Sequence, residues 1–280
     1  MTEILSVAAA LRGSGLPDIE ARILLGHIFG TGRAWLSAHS GDAVASDRAE
    51  TFWSLCARRR AGEPIAYLVG QREFYGLAIG VSPDVLIPRP ETELLVDLAL
   101  ERLPQTVPAN AGLKRVLDLG TGSGCIALAI AKARPSAMVT ASDISHAALA
   151  VARANAAAQA IDVGLIESDW YCALGAQRFD LIVANPPYIA PGDPHLREGD
   201  LRFEPQIALT GGADGWAAID VIVAGATRYL ESGGELLFEH GYDQAAGARA
   251  RLQSAGFTRI QSWRDLAGIE RVSGGSRGLE

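Results

Sequence analysis

From residue 115 onward, short apolar runs of strand length take turns with longer runs of helical periodicity, and no other feature restricts the fold of this chain as tightly. Strand-like segments at 115–119, 138–142, 163–167, 179–184 and 234–239 alternate with helix-like segments at 125–133, 147–157, 216–230 and 244–255. A last apolar stretch begins at Phe257. Strands apolar along their whole length, each followed by a helix, belong to a parallel sheet covered on both faces. Residues 91–280 are therefore expected to form an α/β domain around a doubly wound sheet. The glycine-rich tail from Gly274 to Gly278 is expected to fray.

Upstream, apolar residues from Glu3 to about Ala61 fall at helical spacing, as with Ile19, Ile23, Leu24 and Ile28, and glycine pairs at Gly13/Gly15 and Gly30/Gly32 break the segments. Ser46-Asp47 is expected to cap the helix that carries Phe52, Leu55 and Cys56. Residues 1–66 thus read as a small helical bundle. Residues 67–90 change character: Phe74, Leu77, Ile79, Val81 and Val85 alternate or cluster around Gly76, Gly80 and Pro83, as expected of a β-hairpin bridging two domains. Pro104 to Gly112 reads as a linker of low complexity.

A chain of 280 residues with 49% hydrophobic content supports one large domain and a smaller attachment. Its net charge is -7, and residues 1–75 hold 8 basic against 8 acidic side chains, so no part is a basic surface in bulk. Direct DNA binding is accordingly not expected. Cys56, Cys125 and Cys172 are widely separated and form no Cys-x-x-Cys pair, and the five histidines lack ligand spacing. A reducing compartment and no metal are expected. Without a basic N-terminal region before an apolar stretch, or an uninterrupted apolar run of about 18 residues, the expectation is a cytoplasmic protein without a membrane span. Nothing demands more than a monomer.

Asp118-Leu-Gly120-Thr-Gly122-Ser-Gly124 closes the first strand of the alternating region and opens its first helix. Glycines there permit a tight turn and close approach of a ligand to the backbone. Such a loop also cradles pyrophosphate in nucleotide oxidoreductases. Here the last glycine comes one position early and an acid precedes the loop, which suits a ligand with an amino acid end better than a diphosphate. Asp143 ends the second strand, placed either to accept both hydroxyls of a ribose or to cap a helix. Trp170, at the end of the third, lies either against an adenine ring or in the core. Successive strand ends carrying these residues imply S-adenosylmethionine as cofactor.

Asn185-Pro186-Pro187-Tyr188 follows the apolar run 179–184 directly. An amide or aromatic amine nitrogen shares its lone pair with a π-system, so a site that methylates it must hold both N–H groups and aim the pair. The Asn185 oxygen can accept one N–H. Proline holds φ fixed and lacks a donor, so the Pro186 carbonyl is rigidly presented to accept the other. Tyr188 is expected to stack on the planar group. The bland alternative is a turn that closes a buried strand.

With these motifs in place, the chain resembles the protein-(glutamine-N5) methyltransferases that modify peptide-chain release factors. The likeness covers nearly all of it and is most specific at Gly70-Gln-Arg-Glu-Phe-Tyr-Gly76, Leu86-Ile-Pro-Arg-Pro-Glu-Thr-Glu93, the 118–124 loop, Asn185 to Tyr188, Arg202-Phe-Glu-Pro205 and Glu239-His-Gly241. The resemblance implies a Rossmann-like methyltransferase domain, joined through the hairpin to a helical domain that helps grip the release factor. It implies methylation of the glutamine in a Gly-Gly-Gln loop. Gly120, Thr121, Gly122, Ser123, Gly124, Asp143, Trp170 and Asn185 would then contact the cofactor, and Asn185, Pro186, Pro187 and Tyr188 the glutamine. Asn185, Pro186 and Tyr188 form the expected catalytic set. Two other readings remain: a methyltransferase for exocyclic amines of nucleic-acid bases, and a silent module that only docks on release factors. Arg89 and Glu91 are as well explained by an ion pair fixing the bridge as by substrate contact, and Arg202 to Pro205 by shaping the pocket wall.

Overall fold

The structure, a computed structural model, describes residues 5–105 and 112–279. Most of the expected linker, at 106–111, lies outside the described residues. The chain divides into two compact units, Met1–Gln71 with Arg197–Phe203, and Arg72–Leu196 with Glu204–Glu280.

The first unit holds helices α1 (Val7–Gly13), α2 (Asp18–Phe29), α3 (Arg33–Ala38), α4 (Ser46–Arg60) and α5 (Ile65–Val69). Local chemistry sets their ends. The Ser6 hydroxyl accepts from the Ala9 amide at the start of α1, and Gly30 stops α2 with φ of 66°. Ser46 does not cap α4: it is already the first helical residue, and Asp47 in the first turn acts on the helix dipole instead. Leu24, Leu25, Leu36 and Phe52 are fully buried among these helices, each contributing about 1.5–3 kcal/mol relative to exposure. Arg59 pairs with Glu20 at 2.8 Å and with Asp200 at 3.3 Å, which ties the 197–203 segment into this unit.

Strands β1 (Gln71–Phe74) and β2 (Leu77–Gly80) form a hairpin. Tyr75 and Gly76 between them have φ of 50° and 72°, the geometry of a two-residue turn. The hairpin is narrower than the expected 67–90. Residues 65–69 are helical, and 81–88, where Pro83 and Pro88 remove backbone donors, carry no ladder.

A 3₁₀ turn at Pro90–Thr92 leads into α6 (Glu93–Arg102), and the main sheet follows. Its elements are β3 (Arg115–Leu119), α7 (Cys125–Ala133), β4 (Met138–Asp143), α8 (His146–Gln159), β5 (Gly164–Glu167), β6 (Phe179–Ala184), α9 (Gln206–Leu209), α10 (Ala217–Tyr229), β7 (Leu230–Glu239), α11 (Ala245–Ser254), β8 (Thr258–Arg264) and β9 (Glu270–Ser276). The strand order is β5-β4-β3-β6-β7-β9-β8, with β3 to β7 parallel and β9 antiparallel to both neighbours. Phe179, Ile182, Leu236 and Phe238 meet Ile219, Ile222 and Leu252 in one core cluster.

The tail does not fray. Gly274 and Gly275 lie inside β9, paired with Leu237 and Leu236. A Cβ at Gly274 would overlap the Leu236 carbonyl oxygen, so glycine here answers a close approach of strands rather than a need for freedom. No helix among the described residues is long and apolar enough to cross a membrane.

Strand order reverses between β3 and β6, and that is where an open α/β sheet leaves a crevice at its carboxyl ends. The register aligns Leu119 with both Ser142 and Ala184, and Ala184 with Phe238. The residues that follow these positions, Gly120, Asp143, Asn185 and Glu239, therefore end up at one edge of the sheet.

Candidate active site

A cavity of about 360 Å³ opens at this switch point. It is lined by Gly120, Thr121, Gly122 and Ser123 from the loop after β3, Asp143 as the last residue of β4, Trp170 after β5, and Asn185 and Pro187 after β6. Asp84 to Arg89 and Ile207 to Val221 contribute further wall residues.

Gly120 and Gly122 have φ of 70° and 55°, and no atom lies within 4 Å of where a Gly122 Cβ would stand. The glycine loop thus offers bare backbone to a ligand. Gly124 lies outside the lining. Its φ is 83°, and a Cβ there would come within 3.1 Å of the Ala152 Cβ, so its role is to let α7 start close against α8. Asp143 accepts from the Gly122 amide at 2.8 Å and the Ser145 amide at 2.9 Å. Ser145, not Asp143, caps α8 through the Ala148 amide. Each Asp143 oxygen keeps a further lone pair for a ligand hydroxyl. Burial raises its pKa, opposed by the backbone donors. Trp170 stands at φ of 47°, a conformation that L residues adopt only under constraint, and its ring faces Gly120. The Ser168 hydroxyl holds that turn by donating to the Trp170 carbonyl at 2.8 Å.

These residues fit S-adenosylmethionine. Ser123 lines the cavity with a buried hydroxyl oxygen that has no hydrogen-bond partner among the described residues. The charged residues of the lining are Asp84, Asp143, Asp169 and Arg89, a net negative set that suits a cationic sulfonium and disfavours a diphosphate.

Asn185 is half-buried at the end of β6, and its amide Nδ2 donates to Thr92 Oγ1 at 3.2 Å. Thr92 donates in turn to Glu239 Oε2 at 2.7 Å, and the Tyr188 hydroxyl donates to Glu239 Oε1 at 3.1 Å. Pro186 is buried and Tyr188 half-buried, and neither belongs to the lining. The Tyr188 ring packs against the core cluster while its hydroxyl is held by Glu239, so it braces the loop from behind and is not placed to stack on a ligand. Arg89 pairs with Glu204 at 2.6 Å rather than with Glu91.

Sequence reasoning assigned no role to Thr92, Glu239 or Gln244. Gln244 Nε2 donates to the carbonyls of Tyr188 and Gly215, both at 3.3 Å, clasping the loop that holds Asn185 to Tyr188 against the glycine-rich stretch 211–215. The Pro-Glu-Thr and Glu-His-Gly motifs marked two of these positions without revealing their partners.

A Rossmann-like sheet with a glycine-walled, acid-lined cavity at its switch point defines an S-adenosylmethionine-dependent methyltransferase. The release factor glutamine methyltransferase of Bordetella pertussis (strain Tohama I) is 54% identical over 266 residues, covering 95% of this chain and 97% of that one. The protein of the same name from Burkholderia pseudomallei (strain K96243) is 51% identical over 277 residues, covering 96% and 95%. The chain belongs to the release factor glutamine methyltransferase family. Residues 4–70 match the PrmC N-terminal domain and residues 93–197 the Methyltransferase small domain. Among solved structures, a methyltransferase from Pyrococcus furiosus shares the fold with a TM-score of 0.55 at 20% identity, covering 80% of this chain and 98% of that one.

Proposed function

We propose that this protein transfers the methyl group of S-adenosylmethionine to the side-chain amide nitrogen of the glutamine in the Gly-Gly-Gln motif of peptide-chain release factors. One observation carries the choice of an amide substrate. Asn185 sits on the wall shared with the cofactor loop, and its NH₂ is tied back to Thr92, so its oxygen is left to accept an N–H from a ligand.

When bound, the cofactor supplies a methyl group already activated on a positively charged sulfur. The protein's contribution is then orientation and hydrogen bonding. Gly120, Thr121, Gly122 and Ser123 would hold it through backbone and hydroxyl groups, Asp143 would accept from its ribose hydroxyls, and Trp170 would pack on its adenine. Asn185 Oδ1 accepts one amide hydrogen and the main-chain carbonyl of Pro186, whose ring is buried but which stands between the lining residues Asn185 and Pro187, accepts the other, drawing the nitrogen lone pair out of conjugation. Pro187 supplies apolar contact to the glutamine stem. The helical unit helps grip the release factor. One chain carries all of these site residues, so a monomer suffices, and a release-factor substrate supports a cytoplasmic activity. The net charge of -7 disfavours duplex DNA.

Mass spectrometry of a release factor incubated with protein and cofactor tests this reading. The expected product gains one methyl on the Gly-Gly-Gln glutamine. Transfer of label to tRNA, rRNA or DNA with none to the release factor would overturn it. Asn185→Ala is expected to lower kcat on the order of a hundredfold, measured at saturating cofactor.

A further inference from the structure

Glu239 is nearly inaccessible, at 2% exposure, and ends β7 one position past Phe238, the partner of Ala184 in the parallel ladder. That register brings it beside Asn185, and no hydrogen bond joins the two side chains directly. Thr92 bridges them, itself 2% exposed, on the turn that precedes α6. A hydroxyl has one hydrogen to give. In the chain Asn185 Nδ2 to Thr92 Oγ1 to Glu239 Oε2, that hydrogen goes to the carboxyl oxygen, so the Thr92 oxygen can only accept from Asn185.

We propose that Glu239, acting through Thr92, is the positioning residue that turns the Asn185 amide so that its oxygen, not its NH₂, faces the substrate. An Asn amide is nearly symmetric in shape, and packing alone does not choose between its two orientations. The choice decides function: the oxygen accepts an N–H from the glutamine, whereas the NH₂ would be set against it donor to donor. This inference rests on the amide-methylation reading above.

Glu239→Gln inverts the relay. The Tyr188 phenol has Glu239 Oε1 as its hydrogen-bond acceptor, so the new amide settles with its oxygen on Tyr188 and its NH₂ on Thr92. Thr92 then receives, donates its own hydrogen to the Asn185 oxygen, and the Asn185 amide flips. Every group stays hydrogen-bonded, so the fold is retained while the reacting edge is reversed.

The experiment compares kcat, KM for a release factor, cofactor Kd by calorimetry and the thermal midpoint across a small set of variants. Wild-type methylation of the release factor is measured first, and its failure would remove the amide reading itself. With that in hand, Glu239→Gln is expected to lose on the order of a hundredfold in kcat, with cofactor Kd and thermal midpoint within error of wild type. Thr92→Val should match that loss and Thr92→Ser should restore most of it. Asn185→Asp alone places two carboxyls in competition for one Thr92 hydrogen and should be poorly active. Asn185→Asp combined with Glu239→Gln restores a consistent relay ending in an acceptor, and should exceed either single variant at least about tenfold in kcat. Near-wild-type kcat in Glu239→Gln, or a double variant no better than the worse single one, would overturn the proposal. If Glu239→Gln proves unfolded, the Thr92→Val and Thr92→Ser pair decides: equal kcat in the two sinks the relay.

Discussion

At the residue scale, what the sequence reveals depends on whether the interaction is local. The places of Asn185, Gly120 and Asp143 at the cavity were legible because each stands at the end of an apolar run, where a strand must deliver its next residue to the sheet edge, and Trp170 follows three residues beyond β5. Thr92 and Glu239 were not, because their bond joins positions 147 apart and Thr92 meets Asn185 across 93. The same distance hid the clasp on the loop from Asn185 to Tyr188. Gly215 has φ of 80°, and a Cβ there would overlap the Tyr188 carbonyl oxygen, which also accepts from Gln244. Gly215→Ala is therefore expected to cost about 1–3 kcal/mol in denaturant unfolding and to lower kcat more than it changes cofactor Kd. An exposed control, Gly41→Ala, has no atom within 4 Å of the new methyl and should change neither.

At the element scale, the alternation of strands and helices was readable wherever a buried strand is apolar throughout, and β3 and β6 fall where periodicity places them. It failed at β9, whose glycines look like a flexible end when read alone and act as clearance between paired strands when read with Leu236. The hairpin was legible as a hairpin, but not its attachment. Asn155, on the buried face of α8, accepts from the Gly80 amide at 2.7 Å and donates to the Gly80 carbonyl at 2.9 Å and the Ser123 carbonyl at 2.8 Å. One side chain thus fastens β2 to the glycine loop after β3, and Asp84, Val85, Leu86, Pro88 and Arg89 beyond β2 line the same cavity. Asn155→Ala removes all three bonds and leaves buried carbonyls unpaired. Its expected cost is about 2–3 kcal/mol of stability with cofactor Kd weakened roughly tenfold, whereas an unchanged Kd in calorimetry would show the loop to be independent of the hairpin.

At the scale of the whole molecule, the site sits on buried acids, and this makes stability depend on pH in an unusual sense. Burial pushes the Asp118 carboxyl up to about 7, against the Thr121 hydroxyl that donates to it at 2.6 Å, and the Asp143 charge adds to the rise. Glu239 and Asp143 are raised by burial as well. A carboxyl whose folded pKa lies above its unfolded value holds more protons folded than unfolded between the two. The stability it contributes is complete below the unfolded value near 3.8 and is lost as pH rises through about 7. His240, fully buried and hydrogen-bonded to Ser273 at 2.8 Å, has its pKa lowered by burial, so its contribution runs the other way and is lost as pH falls below its ordinary value of 6.5. A difference between variants isolates the first effect from the second. Asp118→Asn keeps an acceptor for Thr121 and removes the titration, so the cofactor-free variant should be more stable than wild type at pH 8, by up to about 4 kcal/mol. Below pH 4 the advantage should vanish. Urea unfolding at both pH values checks the sign, and a variant that gains nothing at pH 8 would mean that Asp118 is ionised at little cost, with water or a neighbouring donor reaching its second oxygen.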